Sequence, residues 1–170
     1  MLPINGIPML YYVIVNSIPS IGEFMIRLAT PRFGTVERNL EDVFTFPGGI
    51  YGFELQMRWL LLGDREHGAL YWLQNIEQVE LSLAVVDPRE FVAGYVLETS
   101  STSLASFWNG SEPIMVLSVL TEYEGQLCLN LQHPVVINPS SRLGRQVKAC
   151  DDRPLRYVLS GQTAPLMKSA

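Results

Sequence analysis

Apolar and polar positions alternate along Ile26-Arg27-Leu28-Ala29-Thr30, a two-residue period that belongs to a half-buried strand. Pro31-Arg32-Phe33-Gly34 turns the chain and Thr35 to Arg38 returns it. Val43 to Phe46 is a short aromatic and β-branched run closed by Pro47-Gly48-Gly49, and Ile50 to Phe53 continues it. Glycines at this density mark backbone that needs positive φ or close approach. Glu54 to Met57 fits one helical turn, after which Arg58–Leu62 and Ala69–Leu73 form a hairpin around an exposed turn. Leu81 to Val86 reads as a buried strand stopped by Asp87-Pro88, and Phe91 to Leu97 as a stretch that extends it or pairs again. Ile114 to Thr121 is apolar on both faces, as a central strand should be. From Gln126 to Gln132 leucines alternate with mostly polar neighbours, Pro134 interrupts, and Val135-Val136-Ile137 resumes. Asn138-Pro139-Ser140-Ser141 supplies a turn, and Arg142 to Lys148 a basic return strand. Hydroxyls at Thr99–Ser101 and apolar residues at Leu104, Phe107 and Trp108 predict one helix, which Asn109-Gly110 ends. The pattern predicts a mainly β fold: an antiparallel, strongly bent sheet or small β-barrel-like domain with one short helix near Ser100–Trp108.

Composition narrows the class. At 170 residues, with 48% hydrophobic and 17% charged residues, the chain fits one globular domain with a sizeable core. Residues 25–152 are expected to form that domain, 1–24 an apolar N-terminal extension and 153–170 a C-terminal tail. The apolar run from Ile7 to Val15 is broken by Pro8 and preceded by no charge, which fits neither a spanning helix nor a signal peptide. Met25 is the expected natural start, with a weak signal or interfacial segment as the alternative. Cys128 and Cys150 lie outside any C-x-x-C spacing; free thiols in a reducing compartment or a single bridge both fit.

Charge is unevenly spread. Residues 1–141 hold 15 acidic and 6 basic side chains, whereas 142–170 hold 2 acidic and 6 basic ones. Such a body repels phosphate backbones and attracts a basic protein, so direct nucleic-acid binding is not expected. Catalytic patterns are thin. His67 and His133 lack a second histidine at metal-ligand spacing, no serine sits in a G-x-S-x-G elbow, and no phosphate-cradling glycine loop occurs. A non-enzymatic protein without cofactor or metal is expected, and no membrane association. The aromatics Phe44, Phe46, Tyr51 and Phe53, with Trp59, Tyr71 and Trp72, read first as core and second as a rim that grips a peptide.

Four segments then combine: RFGTVE (Arg32–Glu37), FPGGIYGF (Phe46–Phe53), YWLQNIEQVELSLAVVDP (Tyr71–Pro88) and LNLQHPVVINPSSRLGRQV (Leu129–Val147). In these segments and their spacing the chain resembles the bacterial flagellar assembly factor FliW family. The positions that carry the resemblance are Phe46, Pro47, Gly49, Gly52, Phe53, Trp72, Leu73, Gln74, Asp87, Pro88, Asn130, Pro134, Asn138, Gly144 and Gln146. His133 stands where the family tends to have a small residue. The resemblance implies a cytoplasmic partner switch. Such proteins bind flagellin and, when free of it, bind and allosterically antagonise the translational regulator CsrA, relieving repression of flagellin mRNA translation.

Clustering around the Trp72–Pro88 motif makes Glu77, Glu80, Asp87 and Glu90 the candidate partner-binding residues, a choice that rests on the charge pattern and not on the family. A small β-barrel module that binds another peptide or ligand, without a flagellar role, is the alternative.

Overall fold

In the computed structural model, residues 24–64, 68–105, 108 and 110–159 are described. β1 (Met25–Thr30) and β2 (Gly34–Asn39) pair antiparallel, from Met25↔Asn39 to Thr30↔Gly34. The alternation in β1 is the expected one, with Ile26, Leu28 and Thr30 buried and the residues between them exposed. The Thr30 hydroxyl closes the turn by donating to the Gly34 carbonyl (3.0 Å) and accepting the Phe33 N–H (3.0 Å).

The strands that follow build a barrel. β3 (Phe44–Thr45), β4 (Arg58–Gly63), β5 (Leu70–Asn75), β6 (Ser82–Val86) and β7 (Met115–Tyr123) are successive antiparallel neighbours. β8 (Gln126–Leu129), β9 (Val135–Asn138), β10 (Leu143–Gln146) and β11 (Tyr157–Val158) complete a sheet ordered β11-β8-β7-β6-β5-β4-β3-β10-β9. One edge of β7 serves two partners. Its residues 115–117 pair with β9, which closes the ring, while 120–123 pair with β8. A parallel step joins β10 to β3 at Leu143↔Thr45, where the Thr45 N–H donates to the Arg142 carbonyl (2.8 Å). Closure leaves the ring without free edges.

The ring explains why several strands are apolar on both faces. Trp59, Leu73, Val85, Leu117, Val135 and Ile137 cluster inside with Phe44 and Phe46. The intervening residues Leu60, Leu62, Trp72, Ala84, Val86 and Leu120 face outwards into a second core. Ile26, Leu28 and Val36 of the β1–β2 hairpin belong to that outer core, so the hairpin covers the barrel wall.

Three stretches differ from expectation. Glu54–Met57 makes turns rather than helix, and Phe91–Leu97 makes turns rather than strand. In the second case Asp87 caps a 3-10 turn over Pro88–Glu90, and the N–H groups of Phe91, Val92 and Tyr95 find partners within eight residues, so none is left for a ladder. The helix α1 covers only Ser101–Leu104, and Phe107 lies outside the described residues. Residues 153–159 run back along β8: β11 pairs as Tyr157↔Leu129 and Val158↔Cys128, Leu159 is buried, and Arg153 lies over the Tyr95 ring. Both cysteines are free thiols, Cys128 buried and Cys150 exposed. Among the described residues no helix is long and apolar enough to cross a membrane.

Candidate functional site

Strand direction defines two ends of the barrel. β3, β5 and β10 finish, and β4, β6 and β9 begin, at the same end, which gathers the loops 46–57, 76–81 and 130–134. The opposite end gathers 87–90 and 139–142. The four candidate acids are therefore split. Glu77 and Glu80 lie at the first end, and Asp87 and Glu90 at the second, separated by the five residues of β6, roughly 17 Å of extended chain.

Two of those acids already hold cations. Glu77 Oε1 accepts from Arg58 Nε (3.1 Å) and Nη2 (2.8 Å). Asp87 takes a forked pair from Arg89 and also accepts the Arg89 backbone N–H (2.9 Å). The Arg89 guanidinium holds the Asp87 carboxyl below its ordinary 3.8, against the opposing effect of burial. A depressed carboxylate stabilises the fold at pH values above its unfolded value, and loses that contribution as pH falls through the folded one. Asp87→Asn is expected to flatten the decline in stability below pH 3.8, measured by thermal unfolding across an acid series.

The motif residues turn out to be scaffold. Phe46 and Leu73 are fully enclosed in the barrel. Trp72 faces the outer core beneath Arg32, whose guanidinium carbon sits 3.8 Å from the ring centre. The buried Gln74 amide donates to the carbonyls of Asn75, Val79 and Leu81, and so shapes the 76–81 loop. Asn75, which the sequence reading passed over, does the same work: it donates to the Arg58 carbonyl and accepts the N–H groups of Glu77 and Gln78. Asn138 accepts the N–H groups of Ser140 and Ser141 and donates to Glu112 (2.9 Å). Pro88 is buried behind Asp87, and Pro47 is exposed.

The largest convergence of scaffold is under the glycine-rich loop. Ile50 and Phe53 face each other across a tight turn whose third residue, Gly52, has φ +83°. Positive φ at that position is what glycine supplies. Gln146 bridges the loop to its neighbour: its Oε1 accepts the Tyr51 N–H (2.9 Å) while its Nε2 donates to the His133 carbonyl (2.9 Å). Asn130 accepts the His133 N–H (2.9 Å), and the buried Pro134 offers its carbonyl to Val147. The His133 ring meets Tyr51 edge to face at 5.0 Å. Burial, and then the Lys148 ammonium, push this imidazole below its ordinary 6.5, which favours the neutral ring.

What this framework presents is apolar. Tyr51 is 59% exposed, Leu55 83% and Met57 41%. Beside them the exposed Glu54 carboxylate accepts the Gly52 N–H (2.9 Å), and that backbone bond lowers its pKa. The aromatic-rim expectation named Tyr51, while the charge-based selection passed over Leu55 and Met57. Their signal was two large apolar side chains just after closely spaced glycines, in a segment expected to make one helical turn that instead forms turns and irregular backbone. Among the described residues no group of three His, Cys, Asp or Glu is placed to hold a metal, and His67 lies outside them.

Removing the Gln146 bridge should release the loop. Gln146→Leu leaves the Tyr51 N–H and the His133 carbonyl without this partner, at an expected cost of about 1–3 kcal/mol. Amide exchange at Tyr51 should accelerate while the β5 and β9 amides keep their protection.

Residues 27–158 match the family described as FliW protein. The flagellar assembly factor FliW of Natranaerobius thermophilus is 38% identical over 127 residues, covering 72% of this chain and 83% of the relative. That of Carboxydothermus hydrogenoformans is 28% identical over 139 residues, covering 80% and 90%. A crystal structure of the flagellar assembly factor FliW superposes with a TM-score of 0.73 at 26% identity, covering 78% of this chain and 96% of the other.

Proposed function

This chain belongs to the FliW family of flagellar assembly factors, and from that premise we propose that it is a cytoplasmic, non-enzymatic switch between two protein partners. In this reading it binds flagellin while flagellin accumulates. Once flagellin is exported, it captures CsrA and antagonises it allosterically, which relieves repression of flagellin mRNA translation. The match over residues 27–158 carries the proposal. The acidic surface supports it, because an acidic protein attracts a basic RNA-binding regulator and repels the RNA.

Copurification tests it. Tagged protein should retain flagellin and, in flagellin-depleted extract, CsrA; retention of neither at modest salt sinks the proposal. Affinity for CsrA should also fall as salt rises, since exposed charge pairs are screened within about 10 Å at 0.1 M ionic strength. A salt-independent affinity, read by calorimetry between low and high salt, argues against charge attraction.

A further inference from the structure

The partner-binding reading does not say where on the barrel a partner sits. We infer that the loop end formed by Tyr51, Leu55 and Met57, rimmed by Glu54, Glu77 and Glu80, is a docking surface for a segment of a basic protein that presents an apolar side chain.

Exposure is the first observation. Leu55, at 83%, is the most exposed large apolar residue among the described ones, and Tyr51 (59%) and Met57 (41%) share its loop; the other exposed group, Phe24, Met25 and Leu40, belongs to the β1–β2 hairpin. Tyrosine, leucine and methionine offer the contact chemistry of protein interfaces, with a polar handle on the tyrosine and an adaptable thioether on the methionine.

Rigidity is the second. The Met57 carbonyl accepts the Phe46 N–H (2.7 Å), the Ile50–Phe53 turn is closed by hydrogen bonds in both directions, and Gln146 clamps Tyr51. The backbone of Glu54 also lies against Gly49, at a position where a Cβ would come within 2.5 Å of the Glu54 carbonyl oxygen. A loop held at this many points keeps its apolar side chains in place before a partner arrives, which lowers the ordering cost of binding.

Charge decides the occupant. Glu54, Glu77 and Glu80 are all exposed at this end, while Arg58 is engaged by Glu77. Lys148 acts on His133, whose ring packs against Tyr51, so this end carries three acids against the two bases Arg58 and Lys148. The remaining acids repel a nucleic-acid backbone or an anionic lipid surface, and favour lysine or arginine beside the apolar anchor. An exposed ion pair such as Arg58–Glu77 contributes only about 0–1 kcal/mol, so a partner's arginine can displace Arg58 from Glu77 at little cost.

The inference rests on the partner-binding reading, and calorimetry on the full chain with purified CsrA and purified flagellin separates the two. The variants are Tyr51→Ala, Leu55→Asp and Met57→Ala, with Ser140→Asp in the 139–142 loop at the opposite barrel end as a surface control. All four positions are exposed, so each variant should melt close to the parent protein. Leu55→Asp is expected to weaken CsrA, the basic partner of that reading, tenfold or more, Tyr51→Ala by a comparable factor, and Ser140→Asp by less than threefold. If the parent binds neither partner, the functional reading falls and this inference with it. If the parent binds CsrA and the three loop variants stay within twofold, or Ser140→Asp weakens binding as much as Leu55→Asp, the docking surface is overturned while the functional reading stands.

Discussion

Gly144→Ala is expected to be among the most destabilising single-methyl additions available in this chain. A Cβ at that position would lie 2.5 Å from Phe46 Cε1, 2.6 Å from Cε2 and closer still to the ring tip. The ring cannot swing away, because Phe46 is wholly enclosed and packs with Trp59, Leu73 and Ile137 inside the barrel. Either the ring leaves its rotamer or β10 moves off β3, and that parallel step is part of ring closure. Overpacking of this kind costs roughly 3 kcal/mol, at the upper end of the common range. Thermal unfolding should shift down by about 10 °C. Phe46→Leu in the same background should recover part of the loss, since residues in contact do not act additively. A double mutant that loses the full sum of the two single effects contradicts the assignment of Gly144 to ring clearance.

Gly49→Ala is expected to damage binding more than any substitution that leaves the barrel closed. Gly49 has φ +64°, a region in which a side chain costs about 1–2 kcal/mol. Its Cβ would also come within 2.5 Å of the Glu54 carbonyl oxygen and 2.7 Å of the carbonyl carbon. Those are backbone atoms and have no rotamer to yield, so the segment from Gly49 to Glu54 must refold locally. Gly52 provides the comparison. It has φ +83° but open space where the Cβ would go, so Gly52→Ala should carry the φ strain alone, about 1–2 kcal/mol. Gly49→Ala should therefore cost roughly 2–4 kcal/mol, counting strain and overpacking together, and, under the proposed docking surface, weaken CsrA more than tenfold. Equal effects at the two glycines in melting and titration experiments contradict a close-approach role for Gly49.

Much of the fold was legible because each barrel strand carries its own local pattern. Ile26, Leu28 and Thr30 alternate, and they are buried in alternation. The doubly apolar run around Leu117–Leu120 is the strand that pairs with three others, β6, β8 and β9. Closure was not legible. It depends on Met115↔Ile137 and Leu143↔Thr45, pairings between residues far apart in the chain whose local patterns do not name a partner. The turns over Phe91–Leu97 were misread for a related reason: their apolar residues serve the outer core from irregular backbone, with Tyr95 buried there.

The candidate site was legible only in part. Acid clustering along the chain grouped Glu77, Glu80, Asp87 and Glu90, and an extended β6 then separates them by its own length. Gln146 and Asn130 carried the resemblance without showing what they hold. Their amides complete backbone hydrogen bonds around His133, and Gln146 also reaches Tyr51, 95 residues away in the chain. Nothing local to Gln146 announces that contact.

The most direct test of the account is hydrogen exchange on the full chain, alone and saturated with CsrA or with flagellin. The predicted footprint is added protection over 49–57 and 76–81, at the barrel end where the scaffold presents Tyr51, Leu55 and Met57. Added protection confined to 87–90 and 139–142, at the opposite end, contradicts it.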